Sequence, residues 1–396
     1  MIKIPEKRPV QELLSLEDQQ WLQDAIEKVT RKMAWLSEKS AEKIPFTTID
    51  GVHDDKRTLN HRRADNGLQW WTNGFWAGLL WLMYHETHEE KYARIARQSE
   101  EWLDQCFGNY HGLHHDVGFM WLPSAVADYR LTGNPDSRRR GLHAANLLAG
   151  RFNPAGRFIR AWDSETLAYD TRGWAIIDCM LNIPLLYWAS EETNDPRYRH
   201  VARMHADTVA ENFIRPDGSS EHIVKFDPDT GEKMQAFRGQ GYAEGTAWTR
   251  GQSWALYGFM MSYMHTGKQE YLETARRTAE YFISHIPASG LIPIDFQQPA
   301  EPDYEDSSAA AVAACGLIEM AAYVEEGEQN TYLQPALKLL KTLSRERCDF
   351  SDRQDHFLER CSGSYHEPRH HYSLIYGDYY FIEALFKLKG GGVFLW

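Results

Sequence analysis

Apolar positions along this chain recur at helical spacing, in two styles. After Ser15, the residues Trp21, Leu22, Ala25, Ile26, Val29, Met33 and Leu36 line one face of a helix. Ser15-x-x-Asp18 resembles a capping box, with Asp in place of the usual Glu or Gln. The segments RIARQSEEWLDQC and ARRTAEYFISHI share that one-sided style and keep a charged face. Other stretches are apolar nearly all round: residues 72–86, 120–131, 173–191, 250–265, 307–326 and 377–388. Helices of the first style belong on the outside of a fold, those of the second inside.

A short pattern joins the two styles. Thr87, Tyr92 and Ala96 stand at offsets 0, 5 and 9, as do Thr193, Tyr198 and Ala202, and Thr266, Tyr271 and Ala275. Tyr332 and Ala336 keep the last two, with Gly327 in front, and a fainter copy starts at Thr132. Each copy sits between an apolar helix and an amphipathic one, which signals a repeat architecture. Six inner and six outer helices imply a closed ring, an all-α (α/α)6 barrel or six-hairpin toroid, because an open solenoid needs polar capping repeats. No linker divides the chain, so residues 1–396 are expected to form a single domain with a less regular segment at 1–14. EHIVKFDPDTGEKMQAF, residues 221–237, reads as a small hairpin on the rim.

Composition narrows the partners. The net charge of −13 argues against nucleic acid, which needs clustered Lys and Arg, but leaves room for a small anion met by local cations. Aromatic residues reach 13%, which suits a carbohydrate cleft and equally a large helical core. Five cysteines without a C-x-x-C read as reduced thiols. The first residues show no signal-peptide h-region, and no apolar run is long enough to span a membrane. A cytoplasmic protein without membrane contact is expected.

The candidate chemistry lies where apolar helices begin. Asp178, in IIDCMLN, is a carboxylate among apolar neighbours, where desolvation should raise its pKa and leave a proton to donate. Asp116, in HHDVGF, is the second carboxylate; close to Asp178, the pair would split into one proton donor and one ionised partner. Arg250, between Trp248 and Trp254, offers a planar fork for a carboxylate on a sugar. His222 and Gln240 flank the rim hairpin and could bond sugar oxygens, while Asp306 reads as a helix cap. HETH at 85–88 lacks the spacing of a zinc helix, and no metal site or phosphate loop is apparent.

Six blocks together resemble the unsaturated glucuronyl hydrolases, glycoside hydrolase family 88: WTNGFWAGLLWL, LHHDVGFMW, IIDCMLNIPLLYWA, TAWTRGQSWALYGF, DSSAAAVAACGLIEMAA and IYGDYYFIEAL, in that order. The resemblance covers about residues 65–390. It implies an (α/α)6 barrel without metal or organic cofactor, acting on oligosaccharides whose non-reducing end carries a 4,5-unsaturated uronic acid. It also implies that Asp178 protonates C4 of the double bond and helps deprotonate the water that adds at C5, with Asp116 as partner. His222, Gln240, Arg250 and Trp254 match sugar-binding positions, and Trp71 and Trp162 aromatic walls. Asn73 stands where some members have Asp, and Arg238-Gly239 before Gln240 where others differ, which bears on subsite preference.

Three other readings share the architecture: a sugar 2-epimerase using histidines, a polysaccharide lyase that makes the double bond, and a non-catalytic sugar-binding toroid. The loop SYHEPRHH, residues 364–371, carries cations that could meet a sulfate or carboxylate on the second sugar.

Overall fold

The computed structural model describes residues 7–57, 67–108, 112–163, 170–390 and 396. Twelve helical layers alternate around a ring. The outer ones are α1 (Leu16–Lys39), α3 (Glu90–Gly108), α6 (Pro135–Ala149), α8 (Pro196–Asn212), α10 (Gln269–Ser284) and α12 (Gln329–Glu346). The inner ones are α2 (Phe75–Thr87), α4 (Val117–Trp121) continued through a π turn at Leu122–Val126 into α5 (Ala127–Thr132), α7 (Pro184–Thr193), α9 (Thr249–Thr266), α11 (Ser307–Tyr323) and α13 (Ile375–Lys389). The last inner helix, α13, packs on the first, α2, and closes the (α/α)6 barrel.

Burial follows the two styles of sequence. In α9 every residue from Thr249 to His265 is buried, and in α11 every residue from Ser307 to Ala322. In α10 only the stripe of Tyr271, Leu272, Thr274, Ala275, Thr278, Ala279, Tyr281 and Phe282 is covered. The repeated pattern is the joint between layers. Thr87, Thr132, Thr193 and Thr266 each end an inner helix and donate a side-chain hydrogen bond to the carbonyl four residues back. The next residue, His88, Gly133, Asn194 or Gly267, takes a left-handed conformation that stops the helix. In the copies after Thr87, Thr193 and Thr266, the Tyr and Ala that follow are buried against the inner layer, the Ala with only a methyl group between the helices.

Ser15 caps α1 in a full capping box: its Oγ accepts from Asp18 N at 3.1 Å, and Asp18 Oδ2 accepts from Ser15 N at 3.1 Å. The N-terminal segment contributes a short 3-10 turn, Val10–Leu13, with Val10 in the core.

Several boundaries differ from the sequence reading. The first inner helix starts at Phe75 after Gly74, rather than at 72. The second starts at Val117 rather than 120. The largest difference lies in 173–191. Residues 174–176 form a strand, a 3-10 turn covers Ile177–Leu181, and the α-helix begins only at Pro184. Proline favours the first helical turn, since its missing N–H is not needed there.

The short strands are β1 (Thr48–Ile49), β2 (Val52–His53), β3 (Phe152–Asn153), β4 (Phe158–Ile159), β5 (Trp174–Ile176), β6 (Ile223–Phe226) and β7 (Lys233–Phe237). β6 and β7 are the expected rim hairpin. β5 pairs antiparallel with β6, Ile176 opposite Ile223, and makes a three-stranded sheet. That register sets Asp178, two residues past β5, beside His222, one residue before β6; Ile177 N donates to His222 O at 3.0 Å.

Candidate active site

Inner helices of such a ring run parallel, so their N-termini share one mouth. Side-chain contacts there join all six. Trp71, ahead of α2, packs on Phe119 of α4 and Tyr376 of α13, with ring centroids 5.3 and 5.0 Å apart. Arg250 of α9 lies over Tyr376 at 5.5 Å and pairs with Asp306 at the start of α11. Asp116, ahead of α4, is tied to the 3-10 turn ahead of α7 through Asn182.

Two carboxylates meet at this mouth. Asn182 Nδ2 donates to Asp116 Oδ1 at 3.0 Å and to the Asp178 carbonyl at 3.1 Å, while its Oδ1 accepts from Phe119 N at 2.8 Å. Gly118 permits this approach, since a Cβ there would fall 2.4 Å from Asn182 Cα. On the other side, Asp116 Oδ2 lies 3.3 Å from His114 Nδ1 and 3.4 Å from His115 Nε2. Asp178 Oδ2 lies 3.4 Å from His222 Nε2. The tautomer of His222 is set by its other nitrogen, which accepts from Gln240 N at 2.9 Å. Nε2 therefore carries the proton, 3.4 Å from Asp178 Oδ2 and short of a hydrogen bond to it. Gly239, at φ +56°, makes the contact possible: a Cβ there would stand 1.9 Å from His222 Nδ1. Trp248 covers the imidazole at 4.3 Å.

Burial decides the protonation states. Enclosure in the protein, with the Asp178 carboxylate beside it, pushes the Asp116 carboxyl well above the usual range, against the Asn182 hydrogen bond and the Arg151 guanidinium. Burial drives the His114 imidazole down to about 3 and His115 well below its usual value, so both are neutral. Burial thus raises Asp116, the carboxyl that the sequence reading gave as the partner of Asp178. Asp116 is the buried residue of the two, whereas Asp178 is half-buried at the mouth.

Arg250 differs from its expectation as a free fork. It is 2% exposed. Its Nη1 binds Asp306 Oδ2 and the Ser362 carbonyl, and its Nη2 donates to the Gly363 carbonyl at 2.6 Å. Trp248 lies under the guanidinium at 4.6 Å. Asp306 does cap α11, through Ser308 N at 3.1 Å, and is also the counter-ion of Arg250.

The profile of Glycosyl Hydrolase Family 88 matches residues 38–396. The chain belongs to this family. It is 38% identical to the unsaturated glucuronyl hydrolase of Bacillus sp. (strain GL1), over 82% of this chain and 88% of that protein. It is 32% identical to the unsaturated chondroitin disaccharide hydrolase of Streptococcus pneumoniae, over 98% and 96%. The crystal structure of an unsaturated glucuronyl hydrolase from Streptococcus agalactiae superposes with a TM-score of 0.87 at 31% identity, covering 97% of this chain and 94% of that one.

Within this family 88 barrel the remaining sequence-read residues fall in two groups. Trp71, Trp162 and Gln240 are half-buried around the mouth, with Trp162 edge-on to His115 at 6.3 Å. Trp254 is sealed in the barrel, against Phe119 and Tyr380 at 5.2 and 5.5 Å, and presents no open face. Arg238 is turned to its own loop, where Nη1 donates to the Tyr242 carbonyl at 3.3 Å. The loop at 364–371 packs against that same loop: Tyr365 N donates to the Gln240 carbonyl at 2.9 Å, and His366 Nε2 meets the Tyr242 carbonyl at 2.7 Å.

Among the described residues, His114, His115 and Asp116 are the cluster whose side chains could hold a metal, their atoms within 4.8 Å of one another. Their contacts around the Asp116 carboxyl account for the grouping, and we assign no metal site there. Sequence reasoning passed over Asn182, Tyr376 and the pairing role of Asp306, while Trp248, read as a flank of Arg250, does stack on it. Asn182 lay inside a quoted block, but an amide amid apolar residues carries no signal until its partners are known.

Proposed function

We propose that this chain removes the 4,5-unsaturated uronic acid from the non-reducing end of lyase-generated oligosaccharides, of glycosaminoglycan type or related, by adding water across the vinyl ether. The observation that carries the reading is the carboxyl pair: one acid kept protonated by burial, a second at the opening with His222 Nε2 3.4 Å away. The one proton held by the pair passes through Asp178 to C4, which leaves positive charge on C5 and the ring oxygen. Water adds at C5 and gives its proton back to Asp178. The hemiketal opens, and the next sugar departs with its glycosidic oxygen. Asp116 is the partner that keeps one proton in the pair.

An acidic protein can hold this acidic sugar because of the architecture. Inner-helix N-termini gather at the mouth, and each brings partial positive charge from unpaired backbone N–H groups. Buried Arg250 lies below them, its charge balanced by Asp306. Trp71 and Trp162 supply flat apolar walls, and His222 and Gln240 polar contacts to sugar oxygens. Arg250, Trp254 and Arg238 act from behind, shaping the pocket and its rim loops. The five cysteines carry no disulfide, which supports a reducing, cytoplasmic setting. Among the described residues no helix is long and apolar enough to cross a membrane.

The test is an unsaturated chondroitin disaccharide incubated with the protein, its ultraviolet band followed. Loss of the band is expected. A gain on intact polymer would make the protein a lyase, and an unchanged band would leave an epimerase or a sugar binder.

A further inference from the structure

We propose that Asn182 is a positioning residue for the carboxyl pair, fixing which oxygen of Asp116 carries the proton. This rests on the reading of Asp116 and Asp178 above.

The side chain is completely buried and its amide is used at both ends. Phe119 N–H requires the oxygen at one end, and the Asp116 carboxyl and Asp178 carbonyl accept from the nitrogen at the other, so the amide cannot be turned over without leaving all three unmatched. An N–H donated to Asp116 Oδ1 favours that atom as the carbonyl oxygen of the acid. The hydroxyl is then Oδ2. That atom faces His114 Nδ1 and His115 Nε2 at 3.3 and 3.4 Å. Asn182 also spans the joint between two inner layers: Phe119 belongs to α4, while Asp178 lies in the turn leading to α7. One amide therefore ties Asp116 to the backbone of Asp178 and sets the direction of the Asp116 proton.

The charged and titratable groups around Asp116 come from several elements. Asp178 and Cys179 face it from the 3-10 turn, His114 and His115 from its own loop, and Arg151 from the segment after α6. His205 of α8 and His222 stand beyond His115. None of these groups donates to Asp116 Oδ1; the donor to that atom among the described residues is Asn182 Nδ2.

The experiment is Asn182→Asp, followed as kcat/KM against pH on an unsaturated disaccharide, with folding checked by its melting transition. The substitution keeps an oxygen for Phe119 N–H but removes the donor at neutral pH. Once the introduced carboxyl is protonated at lower pH, an O–H can replace it. The expected result is a loss of about 10²-fold near neutrality that recovers on acidification, so the optimum moves down. An unchanged profile, or an equal loss at every pH, would overturn the proposal. If the variant does not fold, carbon NMR of labelled carboxyls in the wild-type protein decides. A protonated Asp116 carboxyl near neutral pH supports the proposal, and an ionised one overturns it. Should the wild-type protein itself leave the disaccharide intact, the proposed function fails, separately from this inference.

Discussion

His222 Nε2 and Asp178 Oδ2 stand 3.4 Å apart because β5 and β6 are paired in one register. A slip of one residue would send every side chain of the strand to the other face. The small sheet on the rim therefore positions the candidate site, although a ring of helices dominates the fold.

Asp178→Asn removes the transferable proton while keeping size and hydrogen bonding. It is expected to lower kcat by about 10²–10⁴-fold with KM little changed. Steady-state kinetics on an unsaturated disaccharide check this, and turnover at the wild-type level would end the assignment of Asp178 as proton donor.

Gly239→Ala places a methyl group where His222 Nδ1 now sits, at a positive φ. The imidazole should swing away from Asp178 while the barrel, far from this loop, stays folded. A large drop in kcat with a nearly unchanged melting temperature is expected. Equal kcat would show that the imidazole orientation is immaterial.

Arg250→Ala leaves Asp306 buried without its counter-ion and releases the loop at Ser362 and Gly363. Breaking one side of a buried pair costs about 3–5 kcal/mol. Urea unfolding should show a loss of that size together with weak substrate binding. Stability within experimental error of wild type would mean that Arg250 serves substrate alone.

Glu100 carries a pH dependence of stability away from the site. Burial, then the nearby Asp128, raise its carboxyl to about 8. A carboxyl raised in the folded state contributes stability that is full below its ordinary value and is lost as pH climbs through the raised one. Glu100→Gln cannot ionise, so its melting temperature should fall less than that of wild type between about pH 5 and 9. Parallel curves for the two proteins would contradict this.

The ring itself was legible in the sequence because its signals are local. Apolar period, the Thr–Tyr–Ala spacing and the left-handed stop after four of the inner helices all lie within a dozen residues. The gathering of Asp116, Asp178, Arg250 and Asp306 at helix starts could also be read, since a closed ring brings all starts to one mouth. What could not be read is pairing over long separation. Residues 174–176 look helical by composition and become a strand only because β6 lies beside them. Arg250 looks like a free fork until Asp306, Ser362 and Gly363 are placed around it. The deeper burial of Asp116 depends on Asn182, His114 and His115 closing from three sides, which no window of sequence shows.

The central claim is that water adds across the ring double bond, with the proton entering at C4. Running the reaction in deuterated water and following it by proton NMR tests this most directly. The account requires the C4 vinyl signal to vanish as the next sugar is released, with one deuterium entering C4 on a single face, and requires Asp178→Asn to stop both together. Release of the sugar while the C4 vinyl proton persists would contradict it.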